Sequence, residues 1–229
     1  MPRSGYVSMT LNRIVILIVF FLVGSCGGDG DVESPPNLPI NSLPGVYTGV
    51  FPCEGCPGIP TTLWLRSDGR FFFVQKYPAV EQREAMSAHN LGRWNWVVDE
   101  RTLTLQGSGP ARRFARQDAD TLMMRTDSDL EHRLGRDALA PDFSATIRMV
   151  GMARMRGGNA WFTECLTGLE APVKKDGDFA RFRHQYRSAG GQGRAVVVEL
   201  EGHFSWSPGG APGSLTIDRF VTVKAEGGC

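Results

Sequence analysis

The chain has almost no net charge: 25 Lys and Arg stand against 24 Asp and Glu, a balance of +1. Removing the first 25 residues, which hold Arg3 and Arg13 and no acid, turns that balance to −1. No basic field exists to attract a phosphate backbone, which sets nucleic-acid binding aside. Long apolar runs are also missing; the one at the N-terminus, Ile14 to Val23, is shorter than the roughly 20 residues a spanning helix needs. Histidine is scarce, and the four present (His89, His132, His184, His203) have no metal-ligand spacing, so each is expected at the surface. No Ser-His-Asp set, carboxylate pair or phosphate-cradling glycine loop stands out. No catalytic residue is therefore assigned, and an enzyme is not expected. What the chain has in quantity is 28 Gly, 14 Pro, 13 Phe and 5 Trp, with few helix-forming runs, a composition that leans toward β-structure. Its 229 residues suffice for one large or two ordinary domains, either of which can bury a core.

Arg3 and Arg13 followed by the Ile14 to Val23 run have the form of a signal peptide over residues 1–25. The run ends in Val23-Gly24-Ser25-Cys26, which resembles the bacterial lipobox and implies a covalent lipid on Cys26. The alternative is ordinary secretion with Cys26 left free. Lipidation also leaves an even four of the five cysteines in an oxidising compartment. Residues 26–44, rich in Gly, Asp, Pro and Asn, have little to bury and are predicted to form a flexible tether. Gly27 and Gly28 stand where inner-membrane lipoproteins of enteric bacteria carry Asp, so the expected location is the outer membrane, facing the periplasm.

Residues 45–136 read as short strands and turns. Val46, Thr48 and Val50 alternate with Tyr47, Gly49 and Phe51, and Ser67-Asp68-Gly69 links Thr61 to Arg66 with Arg70 to Lys76 as a hairpin. Gly92 to Val98, Thr102 to Gln106, Arg112 to Arg116 and Thr121 to Thr126 continue the series. Sequential hairpins predict an up-and-down meander, and about eight such strands close a small barrel. Gly49 and Gly92 are expected where a strand bends or another backbone comes close. Asp127 to Pro141 is charged, lacks sustained alternation and is taken as the boundary.

Residues 142–229 open with strands at Ala145 to Arg156, Asn159 to Cys165 and Ala171 to Lys174. A helix is predicted from Asp178, its cap, to Ala189, with Phe179, Phe182 and Tyr186 on one face and Gly190 as its stop. Strands at Arg194 to Trp206 and Ser214 to Lys224 follow. Three strands, a helix and two strands is the order of an OB-fold, and the overall class is all-β. The basic, aromatic stripe of nucleic-acid-binding OB-folds is absent.

Three stretches of the first half carry a family resemblance: G-V-Y-T-G-V-F-P-C-E-G-C-P-G-I (Gly45 to Ile59), T-T-L-W-L-R-S-D-G-R-F (Thr61 to Phe71) and G-R-W-N-W (Gly92 to Trp96). The second half adds F-T-E-C-L-T-G (Phe162 to Gly168), V-V-E-L-E-G-H (Val197 to His203) and a final cysteine. Together they resemble the NlpE family of copper-resistance and envelope-stress lipoproteins. The most specific element is P-C-x-x-C-P-G after G-x-Y-x-G; Glu54-Gly55 replaces the Ala-Asp common between the family's cysteines. The resemblance implies a lipocalin-like barrel joined to an OB barrel, signalling envelope stress to an inner-membrane sensor kinase of the Cpx type.

On physical grounds Cys53 and Cys56 have neither the helix N-terminus nor the cation that activates a redox C-x-x-C, and Glu54 adds negative charge. They suit a loop-stiffening disulfide, or a redox-sensitive pair whose two thiolates hold Cu(I), the only metal cofactor the sequence suggests. Four cysteines allow three pairings, of which one bond within each domain is the simplest. A Cys165–Cys229 bond closes a loop of about 65 residues, worth roughly 4 kcal/mol in the chain-entropy account. It is either a structural bridge or a reporter of failed disulfide formation. Met149, Met152 and Met155 have thioether-cluster spacing, but on a strand Met152 points away from the other two. A second function class, a carrier of a small apolar ligand, is motivated by Trp64, Phe71, Phe73, Trp94 and Trp96.

Overall fold

Thirteen strands and one helix make up the computed structural model, which describes residues 42–80, 83–127, 129–139, 143–207, 210–224 and 228–229. The signal peptide, most of the tether and Cys26 lie outside the described residues. Strands β1 (Gly45–Phe51), β2 (Ile59–Leu65), β3 (Arg70–Tyr77), β4 (Met86–Val97), β5 (Thr102–Gly107), β6 (Arg112–Arg116), β7 (Thr121–Met124) and β8 (Arg133–Arg136) pair in sequence order, and β8 returns to β1. The closed up-and-down barrel expected from the hairpins is thus present.

Period-2 alternation fills its interior. Tyr47 and Phe51 of β1, Leu63 and Leu65 of β2, Phe71 and Phe73 of β3, and Leu103, Leu105, Phe114, Leu122 and Leu134 form one buried cluster. The β2–β3 turn follows from Ser67-Asp68-Gly69: Gly69 takes φ +78°, and an Asp68 carboxylate oxygen accepts the Arg70 N–H at 3.1 Å. Gly49 and Gly92 lie where a side chain would strike the carbonyl oxygens of Arg133 and Gln106, respectively, as close backbone approach requires.

Two strand readings need correction. The boundary segment Asp127 to Pro141 contains β8, the strand that closes the barrel. It is four residues long with one buried apolar side chain, Leu134, so it has no alternation to detect. Its hold comes from elsewhere: Arg136 donates to the Pro44 carbonyl (2.9 Å) and the Tyr47 hydroxyl (2.6 Å), contacts the Ser42 carbonyl, and lies 4.8 Å over the Tyr47 ring. Strand β4 also begins at Met86, six residues before the expected Gly92, because polar Ser87, His89 and Asn90 pair in register with β3.

The second barrel comprises β9 (Ile147–Arg156), β10 (Asn159–Glu164), β11 (Glu170–Val173), β12 (Val196–Trp206) and β13 (Pro212–Lys224), in spatial order β10-β11-β13-β12-β9 with β9 closing on β10. Only β11 and β13 run parallel among these pairs. Helix α1 (Phe179–Ser188), placed between β11 and β12, completes the OB order and buries Phe179, Phe182 and Tyr186. Asp178 holds the cap position but its side chain does not cap; it accepts the Phe220 N–H of β13 at 2.7 Å, tying helix to barrel.

The outer face of β2, β3 and β4 is covered by the second barrel. Trp64, Phe72, Val74 and Leu91 point away from the first core and join Phe143, Phe204 and Trp206. Phe72 stacks on Phe143 at 4.9 Å, and Trp64 meets Trp206 edge-on at 4.9 Å. Arg66, 8 % exposed, places its guanidinium 4.3 Å over Trp206, bonds Asp68 at 3.1 Å and contacts the Gly210 carbonyl. Trp206 Nε1 donates to the Phe143 carbonyl at 2.7 Å, so its polar edge is satisfied.

Two outcomes follow from this interface. Trp206→Ala is expected to cost about 3 kcal/mol and to split one denaturant-unfolding transition, followed by far-UV circular dichroism, into two. Burial favours the neutral acid at Asp68, but bonds from Arg66 and Arg70 outweigh it and hold its pKa below the ordinary carboxylate value. A depressed folded pKa adds stability above about pH 4 that is lost as pH falls through the folded value. Asp68→Asn should therefore narrow the stability gap between neutral and acid pH in urea melts.

Candidate functional site

The structure brings the four cysteines of the folded body into two bonded pairs at separate places. Cys53 and Cys56 are bonded across the β1–β2 connection, with Cα atoms 5.6 Å apart. Gly55 at φ +71° and Gly58 at φ +122° allow the tight path, and the Gly58 N–H donates to Cys56 Sγ at 3.4 Å. The pair lines a shallow hollow with Val50, Pro57, Leu130 and Glu131, of which Val50 is 61 % and Leu130 53 % exposed. Below it Phe51 meets His132 edge-on at 4.9 Å, which anchors the β7–β8 connection beneath the loop.

At this loop the available copper ligands are the two cysteines, which bind as thiolates, and their sulfurs are bonded to each other. Reduction would supply two ligands. Among the described residues no group of three or more His, Cys, Asp or Glu is arranged to hold a metal ion. The donor set therefore fits a low-coordinate soft ion such as Cu(I) only in the reduced state, and does not fit a four-ligand zinc site.

Cys165 and Cys229 are bonded with Cα atoms 5.0 Å apart, which fastens the C-terminus to the β10–β11 turn. Glu164, immediately before Cys165, is 2 % exposed. Its carboxylate accepts the Leu166 N–H (3.1 Å), the Thr167 N–H (2.7 Å) and the Thr167 hydroxyl (2.6 Å). The Thr167 carbonyl in turn accepts Arg70 Nε at 2.9 Å and Arg93 Nη2 at 3.0 Å, both from the first barrel. The sequence reading missed this junction. Its signal was Glu164 itself: it follows Ala160 and Phe162 in the inward register of β10, where a charge must be fully hydrogen-bonded.

The remaining candidates are dispersed. Met149 is buried in the second core, Met155 packs against it, and Met152 faces outward beside Arg154 and Trp161. His203 pairs with Asp218 at 2.9 Å on β12 and β13, and His184 is exposed on α1. His89 is half-buried, and burial pushes its pKa down while Glu201 opposes the shift. None of the four histidines is fully buried: His184 is exposed, and His89, His132, which packs on Phe51, and His203 are partly exposed. Of the carrier aromatics, Phe71 and Phe73 are core, Trp94 and Trp96 pack against it, and Trp64 lies in the inter-barrel contact. Among the described residues no helix is long and apolar enough to cross a membrane.

Comparison with known proteins gives a consistent result for both halves. Lipoprotein NlpE of Escherichia coli (strain K12) is 27% identical over 202 residues, covering 85% of this chain and 84% of that protein. Among solved structures, the Cpx pathway activator NlpE from Escherichia coli is 28% identical, covering 82% of this chain and 98% of that one, with a TM-score of 0.34. A putative lipoprotein from Shewanella oneidensis is 25% identical, covering 42% of this chain and 90% of that one, with a TM-score of 0.33. Residues 47–132 match the NlpE N-terminal domain and residues 143–229 the NlpE C-terminal OB domain. With both domains present in order over most of its length, the chain belongs to the NlpE family.

Proposed function

We propose that the protein is a lipid-anchored sensor and adaptor of the bacterial cell envelope. The observation that carries this reading is the joining, in one body, of two NlpE-family barrels that each hold one bonded cysteine pair. Likeness to a relative described as a Cpx pathway activator supports an envelope-stress pathway as the output. In this reading Cys26 carries the lipid, residues 26–44 span from the outer membrane into the periplasm, and the barrels meet the periplasmic domain of a Cpx-type sensor kinase. The protein acts by binding, and no catalytic residue is assigned.

The two cysteine pairs have different parts. Cys53 and Cys56 lie in an exposed loop, open to reductants and soft metals. On reduction by a dithiol, the two thiols lose their protons as Cu(I) binds, and the loop joins copper to the stress response. Cys165 and Cys229 hold the second barrel's C-terminus, so a failure of oxidative folding leaves that terminus unfastened. The first pair thus answers to copper and the second to oxidation.

An envelope-stress reporter in cells producing the protein tests this reading. Wild type is expected to raise the signal several-fold on added copper, Cys53→Ser/Cys56→Ser to lose the copper increment, and Cys165→Ser/Cys229→Ser to raise the signal without copper. Cys26→Ala should leave the membrane fraction and change the basal response. A reporter indifferent to all three variants contradicts the proposal.

A further inference from the structure

The β10–β11 turn is attached at two ends that lead to different parts of the molecule. Cys165 carries the bond to Cys229, and two positions later the carbonyl of Thr167 receives Arg70 and Arg93 of the first barrel. Only Leu166 separates them. The turn between is stiff: the Gly168 N–H donates to the Glu164 carbonyl at 2.9 Å, and the Glu164 N–H to the Leu169 carbonyl at 2.9 Å. Gly168 sits at φ +66°, the left-handed conformation this reversal needs. From within, the Glu164 carboxylate grips the N–H groups of both Leu166 and Thr167. A displacement of Cys165, whose N–H also donates to the Val150 carbonyl at 3.0 Å, is passed by this stiff turn to the Thr167 carbonyl.

We infer that the Cys165–Cys229 bond sets how firmly the second barrel holds the first, with Glu164 as the positioning residue and the Thr167 carbonyl as the point of contact. Arg70 and Arg93 are direct cross-strand partners on β3 and β4. Two like charges so placed repel unless an acceptor lies between them. Asp68 neutralises Arg70 at 2.9 Å, and the Thr167 carbonyl serves both guanidiniums with one lone pair each. If the carbonyl withdraws, both guanidiniums lose their shared acceptor on the strands whose outer face, Phe72, Val74 and Leu91, the second barrel covers. A dithiol reductant starts the change: the S–S bond breaks, two electrons and two protons make two thiols, and the reductant leaves as its own disulfide.

The inference deepens the sensor reading by naming its internal route, and rests on that reading only for its biological use. Hydrogen exchange on the purified mature protein, which involves no signalling, separates the two. Selective loss of this bond, in Cys165→Ser/Cys229→Ser, is expected to speed exchange about tenfold or more in residues 166–169 and in β3 and β4, while β12, β13 and α1 stay protected. Arg70→Ala/Arg93→Ala should reproduce the β3 and β4 change with the disulfide intact, and Glu164→Gln should give a smaller version of it. Cys53→Ser/Cys56→Ser should leave β3 and β4 unchanged. Exchange rising in the turn alone overturns the inference. So does exchange rising throughout the second barrel, because the bond then only holds that barrel together.

Discussion

Phe72 is buried on the outside of a barrel, and much of the molecule's organisation follows from that. On an isolated eight-stranded barrel the outer face of β2, β3 and β4 would meet water, with Trp64, Phe72, Val74 and Leu91 presenting an apolar patch. The second barrel covers it with Phe143, Phe204 and Trp206, so a single apolar cluster runs from the core of the OB barrel to the wall of the first. This couples the two barrels in stability: each buries surface that the other would leave exposed. It also explains why the rim of the contact is built from arginines, which cover aromatic faces with their planes while reaching carbonyls with their N–H groups.

The two disulfides stand differently toward this contact. Cys53–Cys56 closes a four-residue loop among exposed Val50 and Leu130. Its loss returns little entropy to the unfolded chain and touches no residue of the contact. Cys165–Cys229 closes a long loop and adjoins the turn that receives Arg70 and Arg93. A chemical event at the first pair alters a surface, whereas one at the second alters the relation between barrels. In the proposed reading, that division gives one protein two separable inputs.

Much of this was legible in the chain. Alternation in Thr61 to Leu65 and Arg70 to Lys76, with Asp68-Gly69 between, specifies a hairpin without help from tertiary structure. The run Phe71-Phe72-Phe73-Val74 carried more information than alternation alone: consecutive apolar residues on a strand mean both faces are buried, here one by each barrel. Strand β8 was not legible, because Leu134 is its sole buried apolar residue and its anchoring is by Arg136 to backbone far away in sequence. The side chain of Asp178 was misread for a similar reason: a local cap competes with the Phe220 N–H, and the distant donor wins. The cysteine motif was plain, whereas the junction at Thr167 was marked only indirectly, by Glu164 in the inward register of β10, because the contact itself is a main-chain carbonyl.

In the proposed mechanism envelope chemistry adjusts the contact between the barrels, and not either barrel alone. Output measured from full-length Arg70→Ala/Arg93→Ala, anchored and with all cysteines intact, tests it most directly. A raised envelope-stress reporter without copper or reductant is expected, at wild-type protein levels. A reporter held at the wild-type baseline, with the contact shown to be loosened, would contradict it.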